Sequence, residues 1–338
     1  MGRRDIKFDA QQSKNVMVQA LRRQMKWLTF GNEGLPLQRL NPLRPLVHAY
    51  NASLMDTYIS SELDSRFATH QDKHKAGDLK RSKCVIDLAL TAYLEGRDGK
   101  QATQGMDGAF KALAMSQIKL FLFSGHDTTS SSICYILYLL SIHPTVLERV
   151  RTEHDQVFGP DLAATTITKT PYRLNQLPYT VAVIKESTRL FPAASTTRSG
   201  EPGFYIADKG RQYPTDGHLV YLISQAIHRD PAYWPHPDKF LPERWLTSPE
   251  DPLYPIKGAW RPFEHGPRSC IGLELAMIEM KIVMVLTLRE FDIHAMYEEL
   301  DKLTPRKGPR TVDGERAYQI GLGQPSGNLP CRVSQAVR

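Results

Sequence analysis

One short stretch of the chain, RPFEHGPRSCIGLELA at residues 261–276, combines residue types that suit a metal-binding thiolate. Cys270 follows Gly266 by four residues, precedes Gly272 by two, and has Arg268 two residues before it. A thiolate that ligates a metal has to be exposed to it, held rigidly and stabilised as an anion. The glycines allow turns and close approach to a flat ligand, the amino end of the following helix favours an anionic sulfur, and Arg268 suits a carboxylate. The stretch therefore indicates a thiolate site beside a large, planar, anionic cofactor.

A buried structural thiol in a glycine turn is the alternative for an isolated cysteine. Here, however, the pattern Phe263-x-x-Gly266-x-Arg268-x-Cys270-x-Gly272 resembles, at every fixed position, the haem-binding loop of the cytochrome P450 family. The resemblance implies that Cys270 is the axial ligand of the iron of haem b and that the other four residues surround the cofactor.

Two further stretches, KESTRLFP and FLPERW, supply an acid and two arginines. Glu186 and Arg189 stand three residues apart, which places them on one side of a helix. Such a pair alone says little, because exposed helices carry many ion pairs. The resemblance adds Arg244 and implies that the three side chains form a buried structural triad beneath the haem.

The stretch LFLFSGHDTTS introduces a glycine, an acid and hydroxyl groups into a long apolar segment. One interpretation is a packing glycine followed by threonines that hydrogen-bond back to helix carbonyls. The other follows from a resemblance to the family's oxygen-activating motif: Gly125 loosens the helix to admit dioxygen, and Asp127 and Thr128 deliver protons. Ser124 stands where the family usually has Ala or Gly, and we expect it to line the pocket.

The stretch FPAASTTRSG resembles the segment that lines the substrate cavity in the family. By this resemblance Arg198 reaches a haem propionate, as Arg268 does. Four consecutive residues are expected to face the substrate: Ala193, Ala194, Ser195 and Thr196.

Composition narrows the function classes. The 338 residues are 41% hydrophobic and 23% charged, which is typical of globular protein, and four scattered cysteines favour a reducing compartment. The net charge of +7 is spread along the chain without a basic, aromatic-rich run, so we expect no nucleic-acid partner. It suits a docking face for an acidic protein partner.

The pattern of apolar and breaking residues predicts a single, mostly α domain over residues 1–338 with small β-sheets, and the resemblance implies that this domain has a cytochrome P450 fold. Short strands and turns are expected between about 191 and 222 and turns with a hairpin in the last forty residues, with a polar loop at 69–82. The predicted helices cover about 14–30, 46–68, 108–142, 145–158, 176–190 and 271–290.

The resemblance implies a haem-thiolate monooxygenase that hydroxylates or epoxidises an apolar polyketide- or terpenoid-like molecule with O2. Electrons would come from NADPH through a flavoprotein reductase that docks on the basic face near Cys270. The motifs most resemble those of filamentous-fungal enzymes of secondary-metabolite, mycotoxin-type pathways. A haem-thiolate isomerase or dehydratase is an alternative, which Asp127 and Thr128 disfavour.

The oxygen-activating motif comes early in the chain, at residue 125. We therefore expect an N-terminally truncated family member that lacks the membrane anchor, the first sheet and the early helices, and an inactive fragment is a further alternative. The family expectation is the cytosolic face of the endoplasmic reticulum membrane, whereas this chain without an anchor would be cytoplasmic or peripheral.

Overall fold

The computed structural model describes residues 15–27, 41–75, 85–96, 105–160, 163–303 and 329–336, with short pieces at 311–312, 315–316, 323 and 325. The chain divides into two compact units, Met1–Ser124 and Gly125–Arg338. The boundary falls inside a continuous helix, and the single domain over residues 1–338 stays a prediction.

The described part of the first unit is helical. Its helices are α1 (Val16–Trp27), α2 (Leu43–Lys75), α3 (Val85–Glu95) and the beginning of α4 (Gly108–Ile142). Asparagine or aspartate side chains cap three of them. Asn15 accepts the Met17 N–H at 2.9 Å, Asn41 accepts the Leu43 N–H at 3.0 Å, and Asp107 accepts the Phe110 N–H at 2.7 Å. These contacts satisfy backbone donors that have no partner within the helix.

The polar loop predicted at 69–82 is wrong over its first part, because α2 continues to Lys75. Packing against α3 overrides the polar composition of this segment. Phe67 meets the Tyr93 ring edge-on, and His70 Nε2 lies 3.1 Å from Asp87 Oδ1. Residues 76–82 lie outside the described part of the chain.

The second unit holds the remaining helices. Pro144 and Pro178 stand in the first turns of two of them, where the missing N–H costs nothing. Short 3-10 helices cover Pro171–Asn175, Pro242–Trp245 and Gly266–Arg268. The α-helices, after the end of α4, are α5 (Pro144–Phe158), α6 (Ala163–Lys169), α7 (Pro178–Leu190), α8 (Ser224–His228), α9 (Leu273–Leu288) and α10 (Tyr297–Leu303).

The described strands pair into short antiparallel ladders. β1 (Thr196–Ser199) pairs with β4 (Leu219–Leu222), and β2 (Tyr205–Asp208) with β3 (Arg211–Pro214). β5 (Phe291–Ala295) pairs with β8 (Cys331–Gln335), and β6 (Thr311–Val312) with β7 (Glu315–Arg316). The prediction of a mostly α fold with small sheets is confirmed.

One apolar core in the second unit joins the end of α4 to α5, α7 and α9. Tyr135 of α4 stacks on Phe191, just after α7, with ring centroids 4.2 Å apart. Phe263 and Ala276, which flank the cysteine loop, pack against the same core. Its buried members include Ile136, Leu139, Leu140, Val150, Tyr179, Val183, Ile184, Met280, Met284 and Leu288.

No single described helix is both long and apolar enough to cross a bilayer. α4 and α5 meet the length and composition test only as a pair, and they are bent by 112°.

Candidate functional site

The cysteine loop has a defined backbone geometry. The Cys270 N–H donates to the Phe263 carbonyl at 2.8 Å, and the Ser269 N–H donates to the Gly266 carbonyl at 3.0 Å. Gly266 has φ +76°, a conformation that a side chain disfavours, and a Cβ placed on it would meet no atom within 4 Å. The loop therefore needs this glycine for its turn and leaves open space beside it.

The thiol itself is exposed and free. Cys270 ends the loop directly before α9, whose N-cap is Gly272, and the Leu273 N–H donates to the Cys270 carbonyl at 3.3 Å. The unpaired N–H groups and the dipole of this helix end favour a negative charge nearby. A Cβ at Gly272 would stand 3.6 Å from the Cys270 Sγ, so this glycine also keeps space beside the sulfur.

The two arginines proposed for a haem propionate differ in their surroundings. Arg268 is exposed and makes no ion pair or side-chain hydrogen bond with any described residue. Arg198 lies half-buried in β1 and donates to the Thr196 Oγ1 at 2.5 Å and to the Thr197 carbonyl at 2.9 Å. Arg268 is therefore the freer of the two for an anionic group.

Phe263 anchors the start of the loop in the core, and its ring centroid lies 5.8 Å from that of Trp260. The same segment carries an ion pair, because Arg261 Nη2 lies 3.1 Å from Glu264 Oε2. Both contacts hold the loop on its amino side, opposite the attachment to α9.

Glu186, Arg189 and Arg244 meet as the sequence predicted, and all three side chains are fully buried. Glu186 Oε1 lies 2.8 Å from Arg189 Nη2 and 3.1 Å from Arg244 Nε. The indole N–H of Trp245 donates to the second carboxylate oxygen at 3.0 Å. Burial lowers the pKa of Arg244, and the carboxylate of Glu186 opposes that change.

The arginines of the triad also hold backbone. Arg189 donates to the carbonyls of His228, Pro237 and Lys239 at 2.7, 2.6 and 3.1 Å, and Arg244 donates to the Pro235 carbonyl at 3.2 Å. A buried guanidinium needs several acceptors, and these carbonyls supply them. The triad therefore fixes the irregular segment between α8 and the 3-10 helix at Pro242–Trp245.

The acid and hydroxyl residues lie in α4, which runs through Gly125 without interruption. Gly125 is exposed, and a Cβ there would meet no atom within 4 Å. The Asp127 side chain is only 14% exposed, and Thr128 is half-buried. The Ser130 hydroxyl donates to the Asp127 carbonyl at 3.1 Å, and the Ser132 hydroxyl donates to the Thr128 carbonyl at 3.0 Å.

The segment expected to line the substrate cavity follows α7. Ala193 is buried, whereas Ala194, Ser195 and Thr196 are half-buried. The Ser195 Oγ accepts the Ser224 N–H at 3.4 Å, which ties the segment to the start of α8.

Within the second unit, several of these site residues lie on elements that pack into the shared apolar core. Asp127 and Thr128 precede the core residue Tyr135 by about two turns of α4, and Phe263 and Ala276 bracket the thiol. Ser124 is exposed and belongs to the first unit, so the structure describes it apart from the others.

Sequence reasoning missed two groups that support the loop. One is the aromatic series Trp234, Trp245, Trp260 and Phe263, whose successive ring centroids lie 5.9, 5.7 and 5.8 Å apart. The other is the buried His228. No spacing in the sequence marks either, because each depends on contacts between distant segments.

Within the described residues, no group of three or more His, Cys, Asp and Glu side chains could hold a metal ion.

Comparison with known proteins gives consistent results. The sequence model of the family described as Cytochrome P450 matches residues 7–320. The chain is 45% identical to the cytochrome P450 monooxygenase polC of Polytolypa hystricis, over 98% of this chain and 59% of that protein. It is 34% identical to the cytochrome P450 monooxygenase acrF of Aspergillus aculeatus, over 97% of this chain and 69% of that protein.

Among solved structures, the crystal structure of the cytochrome P450 CYP102L1 aligns with a TM-score of 0.69 and 23% identity, over 96% of this chain and 66% of that one. The retinoic acid-bound cyanobacterial CYP120A1 aligns with a TM-score of 0.66 and 23% identity, over 96% and 64%. The likeness shows the same fold, and the chain spans about three fifths to two thirds of the length of these relatives.

Proposed function

The chain belongs to the cytochrome P450 family, and we propose that it acts as a haem-thiolate monooxygenase on an apolar small molecule. One observation carries the proposal. Cys270 presents a free, exposed thiol on a glycine loop at the amino end of α9, with the exposed Arg268 two residues before it. A buried structural cysteine, the alternative from the sequence, does not fit that exposure.

The described residues fit a haem. Cys270 would bind the iron, Arg268 and Arg198 would meet the propionates, and the open space at Gly266 would admit the flat ring. Phe263 would support the ring edge from the core side of the loop. When bound through a thiolate, haem supplies an electron-rich iron that favours cleavage of the O–O bond of dioxygen.

The chain's own residues supply positioning and protons. The carboxylate of Asp127, which is largely shielded from solvent, and the hydroxyl of Thr128 would hold and relay protons. Gly125 would leave room beside the helix for O2. The half-buried Ser195 and Thr196 would orient the substrate, and Ala193 and Ala194 would keep that wall small and apolar.

Electron supply follows from the family. NADPH would deliver electrons through a flavoprotein reductase, whose acidic docking face would bind the basic face near Cys270. An acidic partner also suits the net charge of the chain, which is +7.

A role in fungal secondary metabolism rests on the named relatives, which are monooxygenases from filamentous fungi. A polyketide- or terpenoid-like substrate is the class that this setting favours, and hydroxylation or epoxidation is the reaction.

The experiment uses the chain loaded with haem, a fungal NADPH-dependent reductase, and labelled dioxygen with a panel of apolar polyketides and terpenoids. The proposal expects an NADPH-dependent product that carries one atom of labelled oxygen. An NADPH-independent product without label would establish an isomerase or dehydratase instead. Haem binding with no product from any compound, and no NADPH consumption, would establish an inactive fragment.

A further inference from the structure

His228, the last residue of α8, lies between the buried triad and the cysteine loop. Its side chain is completely buried. One ring nitrogen, Nδ1, lies 3.0 Å from the carbonyl oxygen of Arg189, and the other, Nε2, lies 2.9 Å from the backbone nitrogen of Arg261. The histidine thus joins two segments that are more than seventy residues apart in the chain.

These two partners define the protonation of the ring. A carbonyl oxygen can only accept, so Nδ1 carries the proton, and a backbone N–H can only donate, so Nε2 bears the lone pair. Burial, with the nearby positive charge of Arg189, lowers the pKa of His228 to about 3. The ring therefore stays neutral, in one tautomer, at any pH at which the protein would work.

The contact with the triad is reciprocal. The guanidinium of Arg189 donates to the carbonyl of His228 at 2.7 Å, while the His228 ring donates to the carbonyl of Arg189. The edge of the ring also meets Trp234, with centroids 6.3 Å apart. This closed arrangement leaves the ring little freedom to turn.

The contact between His228 and Arg261 is linked to Cys270 through a short stretch of backbone and one hydrogen bond. Arg261 is two residues before Phe263, whose carbonyl accepts the Cys270 N–H at 2.8 Å. Immediately before Arg261, the indole N–H of Trp260 donates to the Lys185 carbonyl at 3.1 Å. The segment that enters the loop is therefore held by two adjacent contacts, one of them from His228.

We infer that His228 is a positioning residue that fixes the entry of the cysteine loop against the triad and so sets the orientation of the Cys270 thiolate. The inference rests on the proposed haem-thiolate function. It predicts that loss of the acceptor for the Arg261 N–H damages thiolate ligation more than an equal loss of stability elsewhere does.

Two amide variants separate the two ends of the ring. In His228→Gln, the side-chain oxygen can reach the place of Nε2 and accept from Arg261. In His228→Asn, the shorter amide takes the place of Nδ1, donates to Arg189 and removes the acceptor of the part-buried Arg261 N–H. An unsatisfied buried N–H shifts an equilibrium by roughly tenfold or more.

His154 provides the matched control. It is also completely buried and neutral, but its Nε2 contacts Thr180 Oγ1 at 2.9 Å, away from the cysteine loop. His154→Gln therefore reports the effect of losing a buried histidine without touching the entry of the loop.

The test follows the carbon monoxide difference spectrum of each haem-loaded protein during mild urea treatment, together with circular dichroism. We expect His228→Asn to convert from the thiolate band to the blue-shifted, thiol-type band about tenfold faster than wild type, at urea concentrations where the helices persist. His228→Gln should recover most of the difference, and His154→Gln should keep the thiolate band until the helices unfold.

Equal conversion rates for His228→Asn, His228→Gln and His154→Gln at matched stability would overturn the positioning role and leave the proposed function intact. A wild-type protein without a thiolate band would instead overturn the proposed function, and the inference with it. If His228→Asn does not take up haem, intact uptake by His228→Gln supports the inference, and failure of both together with His154→Gln contradicts it.

Discussion

The indole N–H of Trp260 donates to the backbone carbonyl of Lys185 at 3.1 Å. Lys185 immediately precedes Glu186, so the bond ties the entry of the cysteine loop to α7, the helix that carries Glu186 and Arg189 of the triad. The ammonium group of Lys185 also lies 5.9 Å from the Trp260 ring centroid. The cysteine loop is thus attached to α7 through Trp260, in addition to the contacts of the triad.

Replacing Trp260 with Phe keeps an aromatic ring and removes this hydrogen bond. We expect the free energy of unfolding to fall by about 1 kcal/mol, because the bond joins two neutral groups. Trp245→Phe removes a bond to the charged Glu186 and should cost about 2 kcal/mol. Urea denaturation measures both, and a larger loss for Trp260→Phe than for Trp245→Phe would contradict the comparison.

Replacing Glu186 with Gln leaves two fully buried arginines without their anion. Breaking one member of a buried charge network costs about 3–5 kcal/mol. We therefore expect little folded, haem-loaded protein, measured as the ratio of haem to protein after purification.

The exposed ion pair between Asp64 and Lys111 provides the control for that substitution. Asp64→Asn should change stability by less than about 1 kcal/mol and leave haem uptake unchanged, since exposed pairs contribute little. Normal haem uptake by Glu186→Gln would show that the triad does not support the site.

The stability of the protein should fall in mild acid because of His154. Burial, with Arg289 nearby, lowers its pKa to about 4, whereas an unfolded histidine has a pKa of about 6.5. Between these values the unfolded chain binds the proton and the folded protein does not, so the free energy of unfolding decreases as the pH falls from 6.5 toward 4.

The size of this effect is about 1.4 kcal/mol per pH unit for one histidine. His154→Gln should therefore flatten the dependence of the free energy of unfolding on pH between 6 and 5 by that amount. Urea denaturation at several pH values checks it, and an unchanged slope in the variant would show that His154 is protonated in the folded state.

Thr128→Ala tests the proton relay in α4. We expect haem binding to persist and product formation to fall by about 10²-fold, while NADPH consumption continues and appears as hydrogen peroxide. Ser130→Ala is the control, because its hydroxyl bonds the Asp127 carbonyl from an exposed position. Unchanged coupling of NADPH to product in Thr128→Ala would remove the residue from the relay.

Local signals predicted much of the fold. The helices predicted at 108–142, 145–158 and 176–190 agree with α4, α5 and α7 to within two residues, and Pro144 marks the break between the first two. The end of α2 was not predicted from the sequence, because the pairing of His70 with Asp87 on α3 extends the helix through a polar segment.

Local spacing placed Glu186 beside Arg189 on one side of a helix, whereas only the resemblance assigned Arg244 to them. The roles of His228 and the tryptophan series were not predicted, because their contacts join residues that only folding brings together. No sequence period marks a histidine whose partners are two backbone groups.

The most direct measurement is the carbon monoxide difference spectrum of the haem-loaded chain and of Cys270→Ser, with Cys331→Ser as the control. Cys331 is likewise free and exposed, which matches the two thiols for reactivity. If Cys270 holds the iron, wild type and Cys331→Ser show the red-shifted thiolate band, and Cys270→Ser loses it while the protein stays folded. A thiolate band that survives in Cys270→Ser, or one that is missing from the wild-type protein, would contradict the account.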